Sequence, residues 1–213
     1  MFQIKTFTFS PIQENTYLIY NEQNQVIIID PGCYFDDERE TLARFIDENH
    51  LIPQLLLNTH CHLDHVFGNK WVYETYGLHL HLHSEEKKVL EFAPASGLMW
   101  NLPFDQYNGP LIELEPGTEI QLGDDRLKIL FTPGHSPGHV CFYSEAQHFI
   151  IGGDVLFKES IGRTDLPGGN FETLIKSIKQ ELLTLPENTE VYSGHGPSTQ
   201  IGHEKKHNPF LQR

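Results

Sequence analysis

Thr59-His60-Cys61-His62-Leu63-Asp64-His65 places three imidazoles and a carboxylate in consecutive reach of one another, directly behind the apolar run Leu55-Leu56-Leu57. Histidine and aspartate gain little from burial and need partners once buried. Their density here therefore marks a metal-binding loop rather than core packing. In an extended segment residues two apart point the same way, so His60 and His62 face one ion. A turn into helix then directs Asp64 and His65 toward a second ion.

Working outward, the loop sits between a strand and a helix. Gln54 to Asn58 reads as a strand, preceded by a helix from Asp36 to Asn49 with Leu42, Phe45 and Ile46 at helical spacing. After the loop, Val66, Trp71, Val72 and Tyr76 recur on one helical face and Gly77 supplies the stop, so Asp64 and His65 begin a helix. A strand end meeting a helix start is where layered α/β proteins place their sites. Further upstream, Phe2 to Phe9 and Asn15 to Tyr20 alternate like strands. Val26-Ile27-Ile28-Ile29 is apolar throughout, as a strand covered on both faces requires, and ends in Asp30-Pro31-Gly32. Asp30 is either part of a plain turn or an acceptor that steadies the metal loop from behind.

Downstream, Leu78 to His83 alternates leucine with His79, His81 and His83. This reads as a solvated strand face, with a second metal cluster as the alternative and His83 placed to line a pocket. A helix over Ser84 to Phe92 follows. Ala93 to Pro110 reads as a long loop with apolar content, either a binding wall or an ordinary packed connection. Strands return at Glu119 to Leu122, Arg126 to Phe131, Val140 to Tyr143 and Phe149 to Ile151, suggesting an antiparallel sheet. A helix over Phe171 to Leu182, behind an Asn170 cap, and a strand over Glu190 to Ser193 complete the pattern. Each half thus repeats strands, a metal-type residue at a strand end, then a helix.

The totals narrow the function. At 213 residues the chain has room for a core of ordinary size, and a single domain is expected. No apolar run approaches the roughly 20 residues of a membrane span, and the start lacks the basic and apolar segments of a secretory signal. Three cysteines give no disulfide framework, so a cytoplasmic location is expected. A formal charge of -14 disfavours nucleic acid and anionic membranes as partners. The oligomeric state is not legible.

Four strand ends carry histidine or aspartate beside glycine, proline or threonine: the 60–65 loop, Pro133-Gly134-His135, Gly152-Gly153-Asp154, and Ser193-Gly194-His195. Two closely spaced ions need a bridging carboxylate, which an aspartate on a glycine turn can supply. In this order the motifs resemble the metallo-β-lactamase superfamily, and within it the glyoxalase II-like group, along essentially the whole chain. Ser160-Ile161-Gly162-Arg163-Thr164-Asp165 and Asn208-Pro209-Phe210 reinforce the resemblance. It implies an α/β fold, a four-layer αβ/βα sandwich of two mixed sheets with helices on the outer faces. It further implies two divalent ions, zinc first, with iron or manganese as alternatives. His60, His62 and His135 would hold one ion and Asp64, His65 and His195 the other, with Asp154 bridging. Asp64 would also handle the proton of the attacking water, and His139 would support His135.

The implied reaction is hydrolysis of a thioester of the S-hydroxyacylglutathione type or a related small acyl compound. Alternatives within the superfamily are a mononuclear iron persulfide dioxygenase, similar in its Gly-Arg-Thr-Asp segment, and a lactonase or other esterase. Aspartate at 154, where class B β-lactamases usually have cysteine, argues against lactam hydrolysis. The group's C-terminal helical domain has no counterpart expected here. Tyrosines near the glutathione site are replaced by Asp165 and by Gly196-Pro197. Arg163 is the one basic residue at a glutathione-contact position, and it serves equally well as a brace to a nearby acid.

Overall fold

The computed structural model describes residues 1–212. It contains two compact units, Met1–Leu114 with Gln121–Asp125, and Glu115–Ile120 with the chain from Arg126 onward.

The first unit carries a six-stranded mixed sheet. β1 (Gln3–Phe9), β2 (Glu14–Tyr20) and β3 (Gln25–Ile29) pair antiparallel, whereas β3, β4 (Ile52–Leu57), β5 (Leu80–Leu82) and β6 (Leu111–Glu113) run parallel in sequence order. Val26, Ile27, Ile28 and Ile29 are all fully buried, as the unbroken apolar run requires. Val26 and Ile28 share a core with Leu42 and Ile46 of α1 (Asp36–Glu48) and with Leu18, Leu56 and Leu80. Asp36, Asp37 and Glu38 occupy the first turn of α1, where acidic groups suit the helix dipole. Glu38 Oε2 also accepts from Tyr34 N and Phe35 N.

Three local readings are corrected here. Helix does begin at the metal loop, but as a short α2 (Leu63–Val66) separated from α3 (Asn69–Tyr76) at Phe67-Gly68. A Cβ on Gly68 would stand 2.4 Å from Cys33 Sγ and 2.8 Å from Pro31 O, so close packing under the loop forces the break. The alternating histidine segment is strand only over Leu80–Leu82: His81 Nδ1 reaches the main-chain oxygens of Leu56 and His79, and His83 Nδ1 accepts from Glu85 N. Finally, a 3-10 turn at Ser84–Glu86 leads into α4 (Lys87–Met99), which runs through Ala93 and Pro94 where a loop was expected. Pro94 cannot donate to Leu90 O. Gln106 Nε2 does so instead at 2.9 Å, and the helix continues. The remainder, 102–110, is a packed connection in which Tyr107 Oη accepts from Leu80 N and donates to Pro110 O.

The second sheet orders as β14-β13-β10-β9-β8-β7, from β7 (Glu119–Leu122), β8 (Asp125–Phe131), β9 (Val140–Ser144), β10 (Phe149–Gly153), β13 (Glu190–Ser193) and β14 (Thr199–Gln200). It is mixed rather than antiparallel, because β10 and β13 are parallel. α5 (Phe171–Ser177) lies in the crossover between them and continues into a π-type turn at Ile178–Leu182. Asn170 caps α5 as expected, its side chain accepting from Thr173 N at 2.8 Å. Leu174, Ile178 and Leu182 pack with Ile150 and Val191 of the sheet and with Ile201 of α6 (Ile201–His207). The strand pair β11 (Leu156–Phe157) and β12 (Ser160–Ile161), together with β6, β14 and α6, were not anticipated: each is too short to show periodicity. Among the described residues no helix is long and apolar enough to cross a membrane.

Replacing Gln106 with Ala should lower unfolding stability by about 1–2 kcal/mol in urea titrations, since Leu90 O then loses its donor. Adding Pro94→Ala to that variant should recover the loss by returning a main-chain N–H.

Candidate metal centre

In the first unit the metal loop is held from beneath by Asp30. This residue ends β3 in the left-handed region, at φ 49°, a conformation uncommon for residues other than glycine. Oδ1 accepts from Thr59 N (2.7 Å) and Asn58 Nδ2 (3.0 Å); Oδ2 accepts from Thr59 Oγ1 (2.6 Å) and lies 3.1 Å from His65 Nδ1. Asp30 is thus bonded to the residues at both ends of the loop. Asp30, His60 and His65 also each have a ligand-type atom within 4.8 Å of the others. With four donors already on its carboxylate, Asp30 is an orienting group rather than a ligand.

Those bonds set the ring protons. Asp30 is an acceptor, so His65 carries hydrogen on Nδ1 and its lone pair on Nε2, which lies 3.8 Å from Asp64 Oδ2. Thr59 Oγ1 spends its hydrogen on Asp30, so it accepts from His60 Nδ1 at 3.1 Å, again leaving the lone pair on Nε2. The His60 ring stands 4.8 Å from that of His62 and 4.1 Å from that of His65. His60 and His65 are fully buried and Asp64 nearly so. Cys61 is fully buried, and burial lifts its thiol well above the ordinary range, as befits a packing residue. Its N–H donates to Glu86 Oε2 at 2.8 Å.

A further buried carboxyl lies here that sequence reading missed. Glu14 Oε1 is 3.8 Å from His65 Nδ1, and Oε2 accepts from Thr16 Oγ1 at 2.9 Å. Burial raises the Glu14 pKa well above the carboxylate range, with His65 and the Thr16 hydroxyl pulling the other way and Asp30 adding to the rise. Gly32 exists to admit it, since a Cβ there would meet Glu14 Oε2 at 2.0 Å.

In the second unit, Gly194 N donates to Gly153 O at 2.7 Å, tying the ends of β10 and β13 together and setting Asp154 beside His195. Asp154 Oδ2 lies 3.5 Å from His135 Nε2 and 3.6 Å from His195 Nε2. These separations exceed a hydrogen bond. They match the about 3.4 Å expected between two donors that each sit about 2.1 Å from one tetrahedral ion. His135 Nδ1 donates to Arg163 O at 2.7 Å, which places its lone pair on Nε2, facing Asp154. Gly162 is demanded by this packing, for a Cβ would stand 1.9 Å from Asp154 O and 3.2 Å from His135 Nδ1.

His139 Nε2 accepts from Asp154 N at 3.1 Å and its Nδ1 meets Thr132 Oγ1 at 3.0 Å, while its ring stands edge-on to that of His135 with centroids 6.2 Å apart. Arg163 acts on His135 through its main-chain oxygen. Its guanidinium grips Asp165 at 2.8 and 2.7 Å, both side chains about half exposed or more, and this pairing holds the Asp165 carboxyl at a pKa of about 2. The donor set as a whole, neutral imidazoles with carboxylates and no thiolate, fits zinc, iron or manganese.

A family profile described as the metallo-beta-lactamase superfamily matches residues 10–195. The chain belongs to the metallo-β-lactamase superfamily. It is 43% identical over 202 residues to a probable metallo-hydrolase, YqgX, of Bacillus subtilis, with 94% of this chain and 93% of that one covered. It is 37% identical over 210 residues to hydroxyacylglutathione hydrolase GloC of Haemophilus influenzae, covering 98% and 97%. Among solved structures, BLEG-1, titled a B3 metallo-beta-lactamase, is 38% identical with a TM-score of 0.91 over 99% of this chain and 100% of that one. TTHA1623 in a di-iron-bound form is 39% identical with a TM-score of 0.88, covering 97% and 100%. The superfamily fold, with two mixed sheets and helices, is the one expected.

Gly162→Ala should shift Asp154 and weaken metal binding by at least about tenfold, with Asp30→Ala costing about 10–100-fold through its hold on His65 and Thr59. Competition against a chromophoric chelator measures both, and circular dichroism checks that the fold persists.

Proposed function

We propose that this metallo-hydrolase is dinuclear and acts on a thioester of the S-hydroxyacylglutathione type or a related small acyl compound. His60, His62 and His135 would hold one ion and Asp64, His65 and His195 the other, with Asp154 able to serve both. The observation that carries this reading is Asp154 Oδ2 flanked by two imidazole Nε2 atoms at 3.5 and 3.6 Å, the disposition a bridging carboxylate needs. The likeness to GloC of Haemophilus influenzae supports the thioester.

When bound, two divalent ions supply a nucleophile from water at neutral pH and polarise the acyl carbonyl. The protein's own groups do the rest. Asp30, Thr59 and the Arg163 carbonyl hold His65, His60 and His135 with their lone pairs on Nε2. Asp64, nearly buried beside His65, takes up the proton of the attacking water and returns it to the leaving thiolate. No side-chain nucleophile is required. Arg163 is a brace: its charge is matched by Asp165, so recognition of the thiol half falls to other groups.

Two other readings have an observation each. The likeness to BLEG-1 favours lactam hydrolysis, against the aspartate at 154. The di-iron form of TTHA1623 shows that a relative of this size accepts iron, the metal a persulfide dioxygenase uses.

Protein purified without added metal should contain two ions per chain by elemental analysis; one iron would favour the dioxygenase. S-lactoylglutathione should be cleaved by the loaded protein and not by His60→Ala, whereas nitrocefin turnover would favour the lactam reading. Asp64→Asn should lower kcat by about 10²–10⁴-fold. Arg163→Ala should change KM by less than about fivefold, as an exposed ion pair contributes little.

A further inference from the structure

Outside the residues discussed so far, one cluster of ligating side chains has no assigned work. α6 reads Ile201-Gly202-His203-Glu204-Lys205-Lys206-His207. His203 and His207, four apart, share a helix face, with ring centroids 4.7 Å apart and planes inclined by 40°. His203 Nε2 is 3.0 Å from Glu159 Oε1. Glu159 comes from the turn between β11 and β12, where it adopts φ 58°. It is fastened to α6 by its main chain, since Glu159 N donates to Glu204 Oε2 at 3.0 Å. Glu204 is fully buried and also accepts from Asn208 Nδ2 (2.7 Å) and Thr199 Oγ1 (2.6 Å). One buried carboxylate thus fixes the turn against the helix, with His203 and Glu159 on the outer surface at 35% and 54% side-chain exposure.

The His-Glu-x-x-His spacing is that of zinc peptidase helices, in which the glutamate is the general base. Glu204 is committed inward to three donors, so no base faces these histidines and peptidase chemistry is not implied. Binding is. We propose that His203, His207 and Glu159 form a peripheral site for a divalent cation of the zinc, nickel or copper kind. Two imidazoles and a carboxylate suit such borderline ions. Their side chains are exposed enough to turn toward a common ion, and a chain of formal charge -14 draws cations to its surface. Lys206, on the same helix, is engaged by Glu187 at 3.4 Å. A bound ion would clamp α6 to the β11–β12 turn.

The site is independent of the hydrolase reading, and zinc is the probe. Calorimetric titration of zinc into protein already saturated at its higher-affinity sites should show one further equivalent per chain, and that equivalent should raise the thermal midpoint. The double variant His203→Ala, His207→Ala should lose this equivalent and the shift while keeping the earlier ones, and Glu159→Gln should weaken it. Absence of a further equivalent in the unaltered protein, its persistence in the double variant, or an unchanged affinity in Glu159→Gln would overturn the proposal.

Discussion

Asp30 is the point on which the metal loop depends. Its carboxylate is all but excluded from solvent and would be costly there unless every lone pair were used. Four donors meet that requirement, and all come from Asn58, Thr59 and His65, the residues that begin and end the loop. The loop is therefore closed onto a single anion. Because the same bonds assign the protons of His60 and His65, one interaction fixes both loop shape and ligand tautomer. Its cost is a left-handed aspartate at the end of a buried strand, a strain tolerated because β3 is packed on both faces.

The second unit reaches a similar end by different means. Main-chain groups take part in each of the contacts that position its candidate ligands. Arg163 O orients His135, His139 Nε2 receives Asp154 N, and the Gly194–Gly153 bond aligns two parallel strand ends. Gly153 and Gly196 take positive φ, 49° and 68°, and at Gly162 no side chain could be accommodated. A main-chain carbonyl meets Nδ1 of His135, whereas the first unit places the carboxyl groups of Asp30 and Glu14 near Nδ1 of His65.

Much of this was legible in the linear text because it rests on local chemistry. Strands β1 to β3, helix α1 and the capped α5 follow from periodicity and turn residues, and Asp30 follows from an acidic residue ending an apolar strand. What escaped has a common cause. Glu14 lies far from His65 in the chain and looks like any polar residue at a strand start. Gln106 acts on a carbonyl freed by Pro94, so a proline that seemed to end a helix does not. Arg163 contributes an oxygen that every residue possesses, while its conspicuous side chain only pairs with Asp165. The bond from Asp154 N to His139 depends on the fold of β9 and β10 and leaves no mark in the linear sequence.

The sequence by itself determined that histidines and aspartates stand at strand ends, since side-chain identity and period-two or helical spacing are local properties. Only the tertiary structure decided which atom of His60, His65 and His135 carries the lone pair, and why glycine stands at 32, 68 and 162. Those outcomes depend on contacts between residues distant in the chain, and a close approach of two backbones leaves no periodic mark in either one.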